Sequence, residues 1–216
     1  MPARLRKTLL LDLDGTLVDP APGIVGSVRH ALRSLGAPAV EDEDLTWIIG
    51  PPLRQTCARL LGPGGDVEEA VRLYRERYAA WGLYQAAPYP GMLDVLRDRV
   101  AGGTRLLLCT SKAAVFARQV VDHFGFAPVL SAVYGAELDG RFDDKGELIA
   151  HILQTEDLDP GEVCMVGDRE HDVHAAARHG IPTVGVLWGY GGRAELTAAG
   201  AEVLIKAPAE LLAANF

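Results

Sequence analysis

Six short stretches of the chain are apolar at almost every position instead of every second one: 8–13, 105–110, 129–134, 163–167, 183–187 and, with a weaker signal, 202–205. Runs of strand length without alternation belong to strands buried on both faces, the mark of a parallel sheet covered by helices. After residue 90 these runs alternate with stretches of helical spacing at about 91–101, 113–124, 145–156 and 171–179. Such alternation predicts an α/β fold on a doubly wound parallel sheet. In these sheets ligands bind outside the carboxyl ends of the strands, so chemistry is expected there.

One interval is too long for this pattern. Between the first run and the second lie about 90 residues, whereas a strand–helix–strand unit takes roughly 30. The surplus has helical character. Val71, Tyr74, Tyr78, Trp81 and Gln85 follow three-and-four spacing, with Arg72, Arg75, Glu76 and Arg77 mostly on other faces. Gly62-Pro63-Gly64-Gly65 breaks the segment between two helices, and Pro88-Tyr89-Pro90-Gly91 reads as the return hinge. The expectation is a discontinuous α/β core, 1–18 and 90–216, with an all-α domain inserted at 19–89 over the mouth of the sheet.

The strand ends carry the charge. Leu9-Leu10-Leu11 runs into Asp12-Leu13-Asp14-Gly15. In extended backbone residues i and i+2 share a side, so the two carboxylates converge where a glycine-permitted turn begins. Paired carboxylates there suit divalent-metal binding with nucleophilic and acid–base work; the plain structural reading is a strand end closed by an Asx turn. Leu106-Leu107-Leu108-Cys109 ends in Thr110-Ser111, hydroxyls and backbone N–H groups at a helix start that can cradle an anion. Lys145 opens a helix after Asp143-Asp144, and Val163-Cys164-Met165-Val166-Gly167 ends in Asp168, with Asp172 four residues on. Singly, these groups also read as helix caps, dipole partners or a solvated lysine. Gathered at one sheet edge, four carboxylates ~6 Å apart repel by roughly 3 kcal/mol per pair at an effective dielectric near 20. A hard divalent ion with oxygen ligands, Mg²⁺, relieves that repulsion, with Lys145 adding positive charge on the substrate side.

Twenty-one basic against twenty-nine acidic residues give a net charge of −8, which argues against polymeric nucleic acid or a membrane surface as partner. Of the three cysteines, Cys109 and Cys164 lie inside strand-like runs and read as buried free thiols of a reducing cytoplasm. No stretch approaches ~18 apolar residues, so neither a signal peptide nor a membrane span is expected. Oligomeric state stays open between a monomer and a weak dimer.

The order Asp12-x-Asp14-Gly15-Thr16-Leu17, then Thr110 after an apolar strand, then Lys145, then Gly167-Asp168-x-x-x-Asp172 resembles the haloacid dehalogenase-like hydrolase superfamily over nearly the whole chain. The helical insertion resembles the cap of phosphoglycolate phosphatase-like members, as do Ile49-Gly50-Pro51-Pro52-Leu53 and Trp188-Gly189-Tyr190-Gly191. Thr110-Ser111-Lys112 and Glu137-Leu138-Asp139-Gly140 resemble bacterial 5′-nucleotidase-like members; Ala113 and Pro20 stand where the pattern has proline and serine. The resemblance implies a Rossmann-like core and an Mg²⁺-dependent phosphatase acting on a small phosphomonoester. On that reading Asp12 attacks phosphorus to form an aspartyl-phosphate, and Asp14 protonates the leaving alkoxide and then deprotonates water. The metal is held by the Asp12 carboxylate, the Asp14 backbone carbonyl and Asp168, with Asp172 in or beside that set. Leu13, Gly15, Thr110 and Ser111 hold the phosphoryl oxygens, and Lys145 neutralises them.

Other readings compete. Lys112 rivals Lys145 for the phosphate-facing role. His171 and His174 flank Asp172 and raise a transition-metal site, against their plain reading as surface residues. Arg54 is the candidate cap residue for substrate, against a solvated helix arginine. Tyr74, Tyr78 and Trp81 read as cap core, not a base-stacking platform. A receiver domain would be shorter and lack the insertion, and a catalytically silent binding module would not need every charged motif residue. Phosphonate cleavage would need a cap lysine, and none lies between Asp19 and Pro88; a 2-haloacid dehalogenase does not need Asp14. Phosphoglycolate calls for a cation such as Arg54, a nucleoside monophosphate for an aromatic such as Trp47, and a β-phosphoglucomutase-type sugar phosphomutase stays a further alternative.

Overall fold

The computed structural model describes residues 7–37 and 45–213. Strand β1 (Thr8–Leu11) leads to a short strand β2 (Val18–Asp19), followed by helices α1 (Ala21–Ser34), α2 (Leu53–Leu61) and α3 (Val67–Ala80). The chain returns through β3 (Ala87–Pro88) and α4 (Met92–Ala101). It then alternates through β4 (Arg105–Ala113), α5 (Ala114–His123), β5 (Ala132–Ala136), α6 (Lys145–Thr155), β6 (Val163–Gly167) and α7 (Glu170–Ala177). Strand β7 (Thr183–Val186), α8 (Arg193–Ala199), β8 (Val203–Ile205) and α9 (Glu210–Ala213) complete it.

Six strands form one parallel sheet in the order β5-β4-β1-β6-β7-β8. Its central strands are buried on both faces, as their unbroken apolar runs require. Leu9 and Leu11 of β1 join the layer containing Val95, Leu96, Val120 and Val121 of α4 and α5. Leu10 points the other way, into Leu148, Ile149, Ile152 and Ala176 of α6 and α7. The expected doubly wound α/β core is present. Chain order reverses across β1, which lies between β4 and β6, so the carboxyl ends of these three strands bound the crevice where such sheets bind ligands.

The inserted helices leave and rejoin through an antiparallel ribbon that pairs Val18 with Pro88 and Asp19 with Ala87. Gly62 ends α2 with φ of +69°, and the Asp66 side chain caps α3 by accepting from Glu69 N at 3.0 Å. Ile24, Val28, Tyr74 and Tyr78 belong to the same apolar cluster as Leu9 and Leu11, so the insertion shares a core with one layer of the sheet. Cys57, Ala70 and Val71 make a small cluster of their own. Residues 38–44 of the expected insertion lie outside the described residues.

Three local expectations need correction. The stripe stops early: α3 ends at Ala80, Trp81 leaves helical geometry at φ −143°, and Gln85 is exposed on a tight turn. The expected strand 129–134 starts at Ala132, because Ala127–Val129 form a 3₁₀ turn led by Pro128. Thr110 and Ser111 do not start a helix. They stay in β4, which bulges between Thr110 and Ala113 before α5 begins. Among the described residues no helix is long and apolar enough to cross a membrane.

Candidate active site

The carboxyl ends of β1 and β6, together with the first turn of α7, bring Asp12, Asp168 and Asp172 together. One oxygen from each lies within 4.8 Å of the others, and all three residues are buried. Lys145, the first residue of α6, donates from Nζ to Asp12 Oδ1 at 2.9 Å and to Asp172 Oδ1 at 2.5 Å. Asp172 Oδ2 accepts the Arg169 backbone N–H at 3.1 Å. Three buried carboxylates thus share one ammonium. The imbalance falls on Asp168, which is 0% exposed: burial, then Asp172 and Asp12, push its carboxyl well above the usual range. Burial and Asp12 also raise Asp172, against the pull of Lys145. An all-oxygen set with surplus negative charge suits a hard divalent cation, and these residues fit one.

The backbone is shaped around Asp168. Its Oδ2 accepts the Tyr190 N–H at 2.8 Å and its Oδ1 the Thr16 hydroxyl at 3.4 Å. Gly15 turns with φ of +87°, and a Cβ there would stand 2.6 Å from the Asp168 carboxyl carbon; only glycine allows both the turn and the approach. Gly189 is needed for the same closeness, since its Cβ would run into Asp168 and the Gly15 carbonyl. Thus Trp188-Gly189-Tyr190-Gly191 acts as a clamp: Trp188 Nε1 donates to Thr16 O at 3.1 Å, and the Tyr190 hydroxyl donates to Asp19 at the ribbon.

Asp14 diverges from the cluster. Its Oδ2 accepts from Lys112 Nζ, which also lies 4.8 Å from the centre of the Tyr78 ring, and its buried Oδ1 has no hydrogen-bond partner. Burial raises the Asp14 carboxyl against the pull of Lys112. Burial opposes charge on Lys112 as well, but Asp14 and Tyr78 outweigh it and hold the ammonium above its ordinary value. The two lysines therefore do not compete for one place: Lys145 serves Asp12 and Lys112 serves Asp14. Any share of Asp14 in a metal site falls to its backbone carbonyl, because its carboxylate turns to Lys112 and lies outside the cluster.

Asp12, Asp14, Thr110, Ser111 and Lys112 line one side of a cavity of about 80 Å³, and Ile24, Arg54, Tyr74, Arg75 and Tyr78 line the other. The Gly15 N–H donates to Val18 O at 2.8 Å, which corrects its expected role as a phosphate donor: it closes the turn instead. Leu13 keeps its place beside Asp12, and its carbonyl accepts from Thr16, Leu17 and Val18. Arg54 reaches the cavity, yet four of its five N–H groups go to protein: Nε and Nη2 to Glu68 at 2.9 and 3.4 Å, Nη1 to Asp143 at 3.2 Å and Nη2 to Leu138 O at 3.2 Å. It fastens α2 and α3 to the loop before Lys145. Trp47 takes Arg59 on its ring at 4.0 Å and is not a cavity residue. His171 and His174 face a second cavity behind Lys145 and do not enter the carboxylate cluster.

Helical spacing and motif matching missed the roles of three residues. Arg75 reaches the cavity although its spacing set it on another face. Arg169 joins the Ile49 carbonyl to Glu195, the latter at 2.9 Å, and so explains the Ile49-Gly50 segment. Tyr190 is invisible as a contact to Asp19 because 171 residues separate them. No local signal points to such long-range contacts.

A family model described as haloacid dehalogenase-like hydrolase matches residues 9–186. The tyrosine-protein kinase PtkA of Mycobacterium tuberculosis is 43% identical over 190 residues, covering 88% of this chain and 65% of its own length. The chain therefore spans just under two thirds of that relative. A 5′-nucleotidase of Pseudomonas aeruginosa is 42% identical over 191 residues (88% of this chain, 86% of the relative), and a phosphoglycolate phosphatase of Caulobacter vibrioides is 31% identical over 189 residues (85% and 80%). A crystal structure described as a predicted phosphatase from Clostridium acetobutylicum aligns with a TM-score of 0.91 at 33% identity, covering 96% of this chain and 97% of that one. With the family match running from β1 through β7 and Asp12, Thr110, Lys145 and Asp168 in the expected order at the sheet edge, the chain belongs to the haloacid dehalogenase-like hydrolases.

Proposed function

We propose that this protein is an Mg²⁺-dependent phosphatase that hydrolyses a small phosphomonoester through an aspartyl-phosphate on Asp12. The observation that carries this reading is the placement of Asp12: it is held by Lys145, stands beside Asp168, and opens on the cavity that Asp14, Thr110, Ser111 and Lys112 also line. The Asp12 carboxylate, the Asp14 carbonyl and Asp168, with Asp172 beside them, would hold Mg²⁺, which would offset charge on the phosphoryl oxygens. An Asp12 oxygen forms a bond to phosphorus as the ester P–O bond breaks, and Asp14 gives its proton to the departing alkoxide. Asp14 then takes a proton from the water that attacks the aspartyl-phosphate, releasing inorganic phosphate and restoring Asp12. General acid–base help of this kind contributes about 10²–10⁴ in rate. Thr110, Ser111 and the backbone at Leu13 hold the phosphoryl oxygens, while Lys145 neutralises them. Positioning and charge dominate such transfers.

The helices of 19–89 act as the lid that excludes water and selects the leaving group. A cavity of about 80 Å³ matches the liquid volume of roughly three waters, which suits an alcohol of a few heavy atoms. A nucleoside monophosphate is the second reading. It is favoured by the relative named 5′-nucleotidase and requires the lid to stand further open. Three buried cysteines without disulfides accord with a cytoplasmic setting.

Acid-quenched turnover tests the intermediate. Peptide mass spectrometry is expected to find a phosphoryl adduct on the peptide carrying Asp12, lost on mild base treatment and absent when EDTA is added first. An adduct on another residue would overturn the nucleophile.

A further inference from the structure

Two arginines reach the cavity from the inserted helices, and they differ in what surrounds them. Arg54 is neutralised by Glu68 and Asp143. Arg75 donates once, from Nη1 to the Leu138 carbonyl at 2.9 Å, and among the described residues no carboxylate pairs with it. A guanidinium carries five N–H donors in a planar fork, so most of this one's capacity is unspent. Its side chain is half-buried and lines the cavity with Tyr74 and Tyr78, whose rings stack on each other at 5.5 Å. Burial and then Arg54 hold Arg75 below its ordinary pKa, outweighing the opposite pull of Asp143 and Glu68, which lie beyond ion-pair distance of it and pair with Arg54 instead. A partly desolvated guanidinium with no carboxylate in direct contact is under-compensated, and an anionic group on the substrate would relieve it, since the fork matches both carboxylate and phosphate geometry.

From this arrangement we infer that Arg75 is a specificity-determining residue, receiving a second anionic group, carboxylate or phosphate, on the part of the substrate that faces the inserted helices. The inference rests on the phosphatase reading above. It also separates the two cap arginines: Arg54 fastens the cap to the loop before Lys145, and Arg75 reads the substrate.

Steady-state kinetics with Mg²⁺ on ethyl phosphate, 2-phosphoglycolate and propane-1,3-diol bisphosphate test it, using the full chain and its Arg75→Gln and Arg75→Lys variants. The wild type is expected to favour at least one of the two doubly anionic substrates over ethyl phosphate. Arg75→Gln is expected to raise KM for the favoured substrate by about 10- to 100-fold with kcat nearly kept, the loss of one charge-assisted contact, and to lower kcat/KM for ethyl phosphate at least tenfold less. Arg75→Lys is expected to recover part of the difference. Preference for the carboxylate or for the second phosphate identifies which anion Arg75 receives. Equal losses on all three substrates, or no preference in the wild type, would overturn the assignment while leaving the phosphatase reading intact. Absence of phosphate release from all three would remove that reading itself, and with it this role.

Discussion

Replacing Lys145 with methionine removes the one ammonium among three buried carboxylates. In the native structure it touches Asp12 and Asp172, and none of the three side chains is more than 6% exposed. Methionine keeps most of the volume, so the effect is electrostatic rather than a cavity. Removing one partner from a buried ion pair costs about 3–5 kcal/mol, because the other charge stays behind uncompensated. For a chain of this size each kcal/mol moves Tm by about 2–4 °C. Metal-free Lys145→Met should therefore melt roughly 6–20 °C below the wild type by calorimetry in EDTA. The pH dependence has a definite sign. Asp172 is raised even with the ammonium in place, and losing the pull of Lys145 raises it further. A raised carboxyl lowers stability increasingly as pH climbs from its unfolded to its native value, and the variant loses its excess penalty over the wild type once Asp172 is protonated in both native proteins. The gap to the wild type should then shrink from pH 8 to pH 5, and added Mg²⁺ should also narrow it by engaging the same carboxylates. A variant melting within 2 °C of the wild type, or a gap independent of pH, would refute the charge-sharing argument.

Asp168→Asn should raise Tm in EDTA at pH 8, because it removes a fully buried carboxyl whose ionisation burial, Asp172 and Asp12 all oppose, and should abolish the Mg²⁺-induced rise; in the wild type, metal at about 100 times its Kd contributes ~2.7 kcal/mol, read by calorimetry. Thiol titration should find all three cysteines unreactive in the native protein at pH 8 and reactive after unfolding, because burial pushes Cys57 up to about 11 and Cys109 up to about 12, leaving both protonated.

Much of this architecture was legible in the chain because burial on both faces leaves a plain mark. Leu9-Leu10-Leu11 and Val163-Cys164-Met165-Val166 have no polar alternation, and both proved to be central parallel strands. The catalytic candidates were legible for a related reason, since a carboxylate at the end of such a strand stands out against it. What stayed hidden depends on contacts far apart in sequence. Whether Lys112 or Lys145 meets a given aspartate is decided by the bulge at the end of β4, which swings Lys112 toward Asp14. Helical spacing set Arg75 apart from the Tyr74–Tyr78 face, yet a long arginine next to that stripe can reach around to the cavity edge. Trp188-Gly189-Tyr190-Gly191 was recognisable as a motif, but its work as a clamp on Asp168 depends on how β6 and β7 pair.

In the proposed mechanism Asp12 accepts the phosphoryl moiety beside a bound divalent ion. Release of inorganic phosphate from 2-phosphoglycolate and from p-nitrophenyl phosphate, measured with Mg²⁺ and with EDTA, compares the wild type and Asp12→Asn directly. The expected result is turnover only for the wild type with Mg²⁺, and an Asp12→Asn protein that is folded by circular dichroism but inactive. Phosphate release by Asp12→Asn at near wild-type rates, or a wild type indifferent to EDTA, would contradict it.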